Sequence, residues 1–402
     1  MPTKAKKAVI EFYADILRAL APLYRFLFKP SGTFQKETSP LRIVLLISRP
    51  QDVELLIGLN EKTKQRKDLL ISFWMLKKCD IRFPDVLPSL KEKEIVVDQF
   101  VDFTNLLEIL KEFMRTDVFL STVESTAAKH KLPYILTRLA NAADVSTYTM
   151  QHGFENIGLS YRDEVHGSDV KFAAGTVLTW GPTEGLPAWV GKDTLDKSIA
   201  VGCPKEFVVL ENDPSANTGE RPIIGVFDNL HWHRYDEKYR ATFLRDLKDI
   251  AEHRKEFRFI LRSHPGSIRK RSKVLADILR SLDNVDVVDL TGEKETLTTA
   301  WLLTHAAGVI TTPSTIALDG ALANIPVAIC RYGLDLDYYS PLSLLDGIDD
   351  WQRFLDGLTE ESGVSDLRLK GEKFTNRVLV SGDPSFKILE LMVRRPANKV
   401  SS

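Results

Sequence analysis

Three apolar runs in this chain end abruptly in polar residues capable of chemistry. Phe257 to Pro265 (FRFILRSHP) reads as a buried strand that stops at His264 and Pro265. Val309 to Ala317 (VITTPSTIA) stops at Thr312-Pro313, and Ser314 and Thr315 then open an apolar helix. Pro222 to Phe227 (PIIGVF) carries Asp228 and Asn229 at its end. Ligands of open α/β sheets bind beyond the carboxyl ends of strands, and the free N–H groups of helix starts favour anions. Imidazole, hydroxyl and carboxylate groups at such tips suit phosphate binding and nucleophilic or acid–base work on whatever the phosphate carries. Each group also has a plainer use: Ser and Thr cap helices, His264 can close its strand, and Asp228 can orient Asn229.

A fourth tip is Thr147 to Met150, which runs into Gln151-His152-Gly153. Gln151 brings donors and an acceptor, His152 a titratable ring and nearby Glu155 a carboxylate, while Gly153 permits close backbone approach. A polar turn is the alternative. His231-Trp232-His233 places two imidazoles two residues apart, yet no Cys or compact acidic cluster completes a ligand set, so no metal is expected. His130, His166, His253 and His305 receive no role. Arg262 and Lys205 are candidates for an anionic group of a substrate or for ordinary strand-end placement.

The elements that hold these tips alternate between strand and helix. In the first half, Arg42 to Ser48, Leu69 to Phe73, Glu94 to Val97, Asp117 to Leu120, Thr147 to Met150, Val177 to Trp180 and Ile199 to Val201 read as strands. Helical stretches such as Asn105 to Met114 and Ala127 to Ala140 separate them. The turn-forming segment Glu211 to Arg221 marks a boundary, so the domains are expected at 1–210 and 211–402. After it the rhythm restarts: strand Pro222 to Phe227, helix Tyr235 to His253, the Phe257 strand, strand Asn284 to Leu290, helix Glu295 to Leu303, the Val309 strand, helix Ala317 to Ala323 and strand Ile325 to Cys330. Such alternation predicts parallel sheets covered by helices, as two Rossmann-like βα domains facing one another across a cleft.

Composition narrows the classes. A chain of 402 residues exceeds one ordinary core, and 54 Lys and Arg against 55 Asp and Glu give no basic field of the kind that gathers nucleic acid. The three cysteines lie far apart and read as structural thiols of a reducing compartment. No window is long and apolar enough to span a bilayer and no signal-peptide cleavage pattern opens the chain, so a cytoplasmic protein is expected. Lys4 to Lys29 is a basic amphipathic stretch with two open readings: a helix lying on an anionic membrane surface, peripheral at the inner membrane, or one packed on its own domain.

Taken together, QHG, VGCPK, RSHP and TTPSTIALDGALANIPVAI resemble bacterial capsule and lipopolysaccharide glycosyltransferases of the two-domain GT-B type. More narrowly, the chain is similar to the retaining β-Kdo transferase domains of WbbB-type O-antigen chain-terminating enzymes, over about Arg42 to Val380. The resemblance implies a GT-B fold with C-terminal helices, an acceptor-side first domain and a donor-side second domain. It implies transfer of Kdo from CMP-β-Kdo to the non-reducing end of a lipopolysaccharide O-antigen glycan, on an oligosaccharide or lipid-linked acceptor, without metal or other cofactor. It assigns His264, Pro265, Ser314 and Thr315 to the nucleotide phosphate. By position, Asp319, one helical turn after Thr315, is expected toward the ribose or as a solvated helix carboxylate, and Gln151, Gly153, Arg262 and Asn229 as further substrate contacts. A β-linked donor giving a β-linked product means retention, for which a covalent adduct is the simplest account. Asp228 is then the expected nucleophile, with Glu155 or His152 deprotonating the acceptor. Other readings are a CDP-glycerol-type polyol-phosphate transferase, another GT-B enzyme such as a sugar-nucleotide epimerase, and a non-catalytic glycan- or nucleotide-binding module of a larger multidomain assembly.

Overall fold

The computed structural model describes residues 4–28, 39–64, 66–162, 169–206, 221–264, 279–288 and 297–394. The chain divides into two compact units: Met1–His152 with Asn156–Glu206 and Leu379–Ser402, and Gly153–Glu155 with Phe207–Val378.

In the first unit the elements run α1 (Lys4–Phe28), β1 (Leu41–Ile47), α2 (Gln51–Thr63), β2 (Leu69–Leu76), α3 (Lys77–Arg82), α4 (Val86–Glu92), β3 (Val97–Val101), α5 (Leu106–Phe113), β4 (Val118–Ser121), α6 (Lys131–Ala142), β5 (Ser146–Met150), β6 (Thr176–Thr179), α7 (Lys192–Asp196) and β7 (Ser198–Ala200). The strands form one parallel sheet in the order β3-β2-β1-β4-β5-β6-β7. Its centre is β1, whose Ile43 to Ile47 are all buried, as expected of a strand covered on both faces. The order reverses between β1 and β4, which fixes where the crevice of this sheet lies. Two strands differ most from expectation: β2 runs on past Phe73 to Leu76, and β3 begins at Val97 rather than Glu94, because Glu94 adopts a left-handed φ of 57° in the turn that stops α4.

The second unit comprises β8 (Ile223–Asp228), α8 (Glu237–His253), β9 (Arg258–Ser263), β10 (Val285–Val288), α9 (Thr299–His305), β11 (Ala306–Thr311), α10 (Ile316–Leu322), β12 (Val327–Cys330), β13 (Ser343–Leu345), α11 (Ile348–Asp356) and α12 (Glu361–Val378). Its parallel sheet has the order β10-β9-β8-β11-β12-β13, with the reversal between β8 and β11. Phe243, Phe259 and Trp351 are essentially inaccessible in its core, each contributing roughly 1.5–3 kcal/mol of burial. Local chemistry sets the helix starts. Asp236 accepts the Tyr239 N–H at 2.7 Å, so α8 starts at Glu237 rather than Tyr235. Thr298 accepts the Trp301 N–H at 3.0 Å and starts α9 at Thr299, later than expected.

The last helix, α13 (Pro384–Val393), corrects the expected division, which gave all of 211–402 to the second domain. It packs on α2 of the first unit. Val380 N–H donates to the Trp180 carbonyl at 3.0 Å, the Tyr148 hydroxyl donates to the Leu391 carbonyl at 3.0 Å, and Lys62 pairs with Asp383 at 2.7 Å. Gly202, in the VGCPK stretch, makes room for this return: it has φ +96°, and a Cβ there would lie 2.9 Å from Pro384 Cγ and 3.1 Å from the Val380 carbonyl. The boundary expected at Glu211 to Arg221 falls, except for Arg221, outside the described residues.

Candidate functional site

In the second unit the tips of three neighbouring strands converge where the strand order reverses. Asp228 ends β8, Ser263 ends β9 and Thr311 ends β11. Asp228 is 4% exposed; one carboxylate oxygen accepts from the Ser263 hydroxyl and the other from the Leu230 N–H at 3.3 Å. Its own carbonyl accepts the His264 N–H at 2.8 Å, so β9 remains paired to its last residue. Asn229 is locked to β11: Thr312 Oγ1 donates to Asn229 Oδ1 at 2.6 Å, Asn229 N–H donates to Thr312 Oγ1 at 3.1 Å, and Asn229 Nδ2 donates to the Pro313 carbonyl at 3.0 Å. The three tips therefore behave as one hydrogen-bonded platform.

The His264 ring stacks on His231, with centroids 4.2 Å apart and planes 13° from parallel. Burial pushes the His264 imidazole below its ordinary pKa, partly offset by the nearby Asp228 charge. The spacing of His231 and His233 alone gives His231 no role; the stack makes it part of the same constellation. Ser314 and Thr315 are half-buried, and neither caps α10 through its side chain. The Ser314 hydroxyl pairs with Thr311 Oγ1 at 3.0 Å, and Thr315 Oγ1 accepts the Phe154 N–H at 3.1 Å. Asp319 lies half-buried in the first turn of α10, its N–H bonded to the Thr315 carbonyl at 3.0 Å. Arg262 reaches the Leu297 carbonyl at 2.8 Å, so its guanidinium already has a structural partner. Pro265 lies outside the described residues.

Glu155 also belongs to the second unit, where it is buried. Its carboxylate is ion-paired with Arg234, both side chains being less than a tenth exposed, and accepts the Tyr339 hydroxyl at 2.7 Å. Beside it Phe154 stacks on Tyr338 at 4.6 Å and meets Tyr339 and Phe374 edge-on. A carboxylate so held fixes the Arg234 loop, which runs on from Asp228 and His231. Gly153 is not required by crowding: a Cβ there would lie 3.6 Å from Thr315 Oγ1, an ordinary contact.

Gln151 and His152 lie in the first unit, at the tip of β5. Gln151 is buried, and its Oε1 accepts the Trp180 N–H at 3.0 Å, extending the β5–β6 pairing. His152 stands near Arg49, which follows β1 and went unremarked in the sequence although it too stands at a strand tip. Arg49 donates to His130 Nε2 at 3.0 Å and to His152 Nε2 at 3.5 Å. A guanidinium only donates, so His130 accepts at Nε2 and carries its proton on Nδ1, which donates to the Ser125 hydroxyl at 2.8 Å. Burial, together with the Arg49 charge, pushes the His152 imidazole down to about 3, so the ring is neutral at physiological pH. His130, given no role from sequence, thus belongs to a polar crevice at the β1/β4 reversal. Glu124, in the same recess, accepts the Ala174 N–H at 2.7 Å through Oε1, while Oε2 has no hydrogen-bond partner among the described residues. Burial pushes its carboxyl up to about 8.

No protein-family model matches the chain, and no curated protein matches it. Solved structures do. A UDP-N-acetylglucosamine 2-epimerase has a TM-score of 0.59 at 10% identity, with 88% of this chain and 96% of that chain covered. Anabaena HepE in complex with UDP and glucose has a TM-score of 0.60 at 11% identity over 88% and 99%. The glycotransferase of kitacinnamycin has a TM-score of 0.52 at 11% identity, again over 88% and 99%. At these identities the likeness shows the fold alone. The fold is α/β of the GT-B type, with two Rossmann-like units each built on a parallel sheet.

Proposed function

We propose that the chain is a nucleotide-sugar-dependent glycosyltransferase that takes Kdo from CMP-β-Kdo and adds it, with retention, to a lipopolysaccharide O-antigen glycan. The observation that carries this reading is the hydrogen-bonded platform of Asp228, Asn229, Ser263, His264 and Thr312 at the strand-order reversal of the second unit. Its hydroxyls and the His231–His264 pair suit a phosphate, and the RSHP and TTPST motifs supply the resemblance to CMP-Kdo enzymes. Likeness to structures bound to UDP and glucose or to UDP-GlcNAc supports a nucleotide-sugar ligand in general terms.

In this reading Asp228, aimed by Ser263 and the Leu230 N–H, attacks the anomeric carbon. A carboxylate oxygen–carbon bond forms, the carbon–phosphate oxygen bond breaks, and its electron pair departs on CMP, whose charge His264 and Ser314 stabilise. An acceptor hydroxyl then attacks the anomeric carbon, the carbon–Asp228 oxygen bond breaks to regenerate the carboxylate, and the hydroxyl proton passes to solvent water. Glu155, committed to Arg234 and Tyr339, serves as a positioning residue for the Asp228–Arg234 loop. His152, the other expected base, lies in the first unit beside Arg49, and with a pKa near 3 it is not assigned that proton.

Donor screening tests the reading: CMP, and not CDP or UDP, should raise the melting temperature. Asp228→Ala should abolish transfer while CMP still binds; activity within about tenfold of wild type would remove Asp228 from the mechanism. A second reading, sugar-nucleotide epimerisation, is favoured by the epimerase structures the chain is similar to. Its mark is interconversion of a nucleotide sugar, or release of free nucleotide, with no acceptor present.

A further inference from the structure

We infer that α1 docks the protein on an anionic membrane surface through an apolar face that is left exposed among the described residues. This helix has two apolar faces. Ala14, Leu17 and Ala21 are at most 4% exposed and form the seam against α5 and α6. Phe12, Ile16, Leu20 and Leu23 are 69%, 40%, 38% and 53% exposed. Their spacing of i, i+4, i+8 and i+11 puts them in one stripe, directed away from the buried seam. Of the twelve large apolar side chains exposed among the described residues, five, counting Tyr13, fall on this helix. Scattered exposed apolar residues need no explanation, whereas a contiguous stripe marks an interaction surface.

Charge selects the partner. The helix carries five Lys and Arg (Lys4, Lys6, Lys7, Arg18, Arg25) against two acids, Glu11 and Asp15. Both acids are held by cations of α6, Glu11 by Lys131 at 2.5 Å and Asp15 by Arg138 at 2.9 Å. What remains is a basic helix with an apolar outer stripe, the composition of segments that lie in the headgroup region of anionic bilayers. A second copy docking stripe to stripe would set like charges against each other. Among the described residues no helix is long and apolar enough to cross a membrane, so α1 is expected to lie in the interface.

The test is co-sedimentation of the full chain with vesicles of phosphatidylcholine alone or with 30% phosphatidylglycerol (about that fraction suffices to set a negative surface potential). The expected result is binding to the anionic vesicles only, weakened by salt. It should fall at least about tenfold when Phe12→Glu, Ile16→Glu and Leu23→Glu are combined. These positions lie outside the buried seam, and an unchanged circular-dichroism spectrum and melting temperature would show that the variant folds. Absence of wild-type binding, equal binding to neutral vesicles, or undiminished binding of the folded variant would overturn the inference. So would a concentration-dependent dimer, abolished by the variant, in a protein that ignores both kinds of vesicle.

Discussion

His264 and His231 pose the sharpest residue-level question, because two stacked imidazoles resist carrying two protons. If they bind a nucleotide phosphate, CMP affinity should rise as pH falls through the depressed titration of His264, since the cationic ring is favoured by the remaining negative charge of the phosphate. His264→Ala should weaken CMP binding by roughly 10- to 100-fold in calorimetry, the worth of a hydrogen bond to a charged group. His231→Phe, which keeps a ring for stacking, should lose less affinity than His231→Ala. Glu124 offers a test independent of function. Its folded pKa is raised from 4.5 to about 8, so the stability it contributes is full below pH 4.5 and is lost as pH rises through 8. Denaturant titrations of Glu124→Gln should lack that decline between pH 4.5 and about 8; an identical profile would mean that the buried carboxyl is not the cause. Positions such as Asp228 and His264 were legible because a strand end is a local signal. The fate of Glu155 was not, since its partner Arg234 lies far along the chain and only the tertiary fold brings the two together.

At the scale of elements, apolar runs located nearly every strand, because burial on both faces leaves a strand apolar along its length. Starts and stops were less legible. Caps such as Asp236 and Thr298 compete with neighbouring polar residues, and only one of them wins in the folded chain. Ser314-Thr315 shows the reverse: two ideal cap residues whose hydroxyls went to Thr311 and Phe154. The short β13 carries too few residues for any pattern. Gly202 joins elements that are distant in sequence. Gly202→Ala should destabilise the first unit by about 1–3 kcal/mol, through its positive φ and the approach of Val380 and Pro384. Urea unfolding would measure this, and a neutral result would show that α13 can shift aside.

For the whole molecule, alternation of strand and helix foretold two parallel-sheet units, and their strand orders place a crevice in each. What the sequence concealed was which unit the C-terminal helix joins, because an amphipathic helix records that it packs, not on what. Removal of 379–402 should therefore speed hydrogen exchange in the first unit and spare the sheet of the second. Equal deprotection of both sheets would contradict that assignment.

The interleaving of Gly153–Glu155 and Leu379–Ser402 constrains engineering as well. A gene cut at the 206/207 junction yields two polypeptides, neither of which contains its whole unit: the first lacks the helix that covers Gly202, the second lacks the Phe154–Glu155 plug beneath Tyr339. A domain swap into this chain would have to exchange those remote pieces together with the halves they complete.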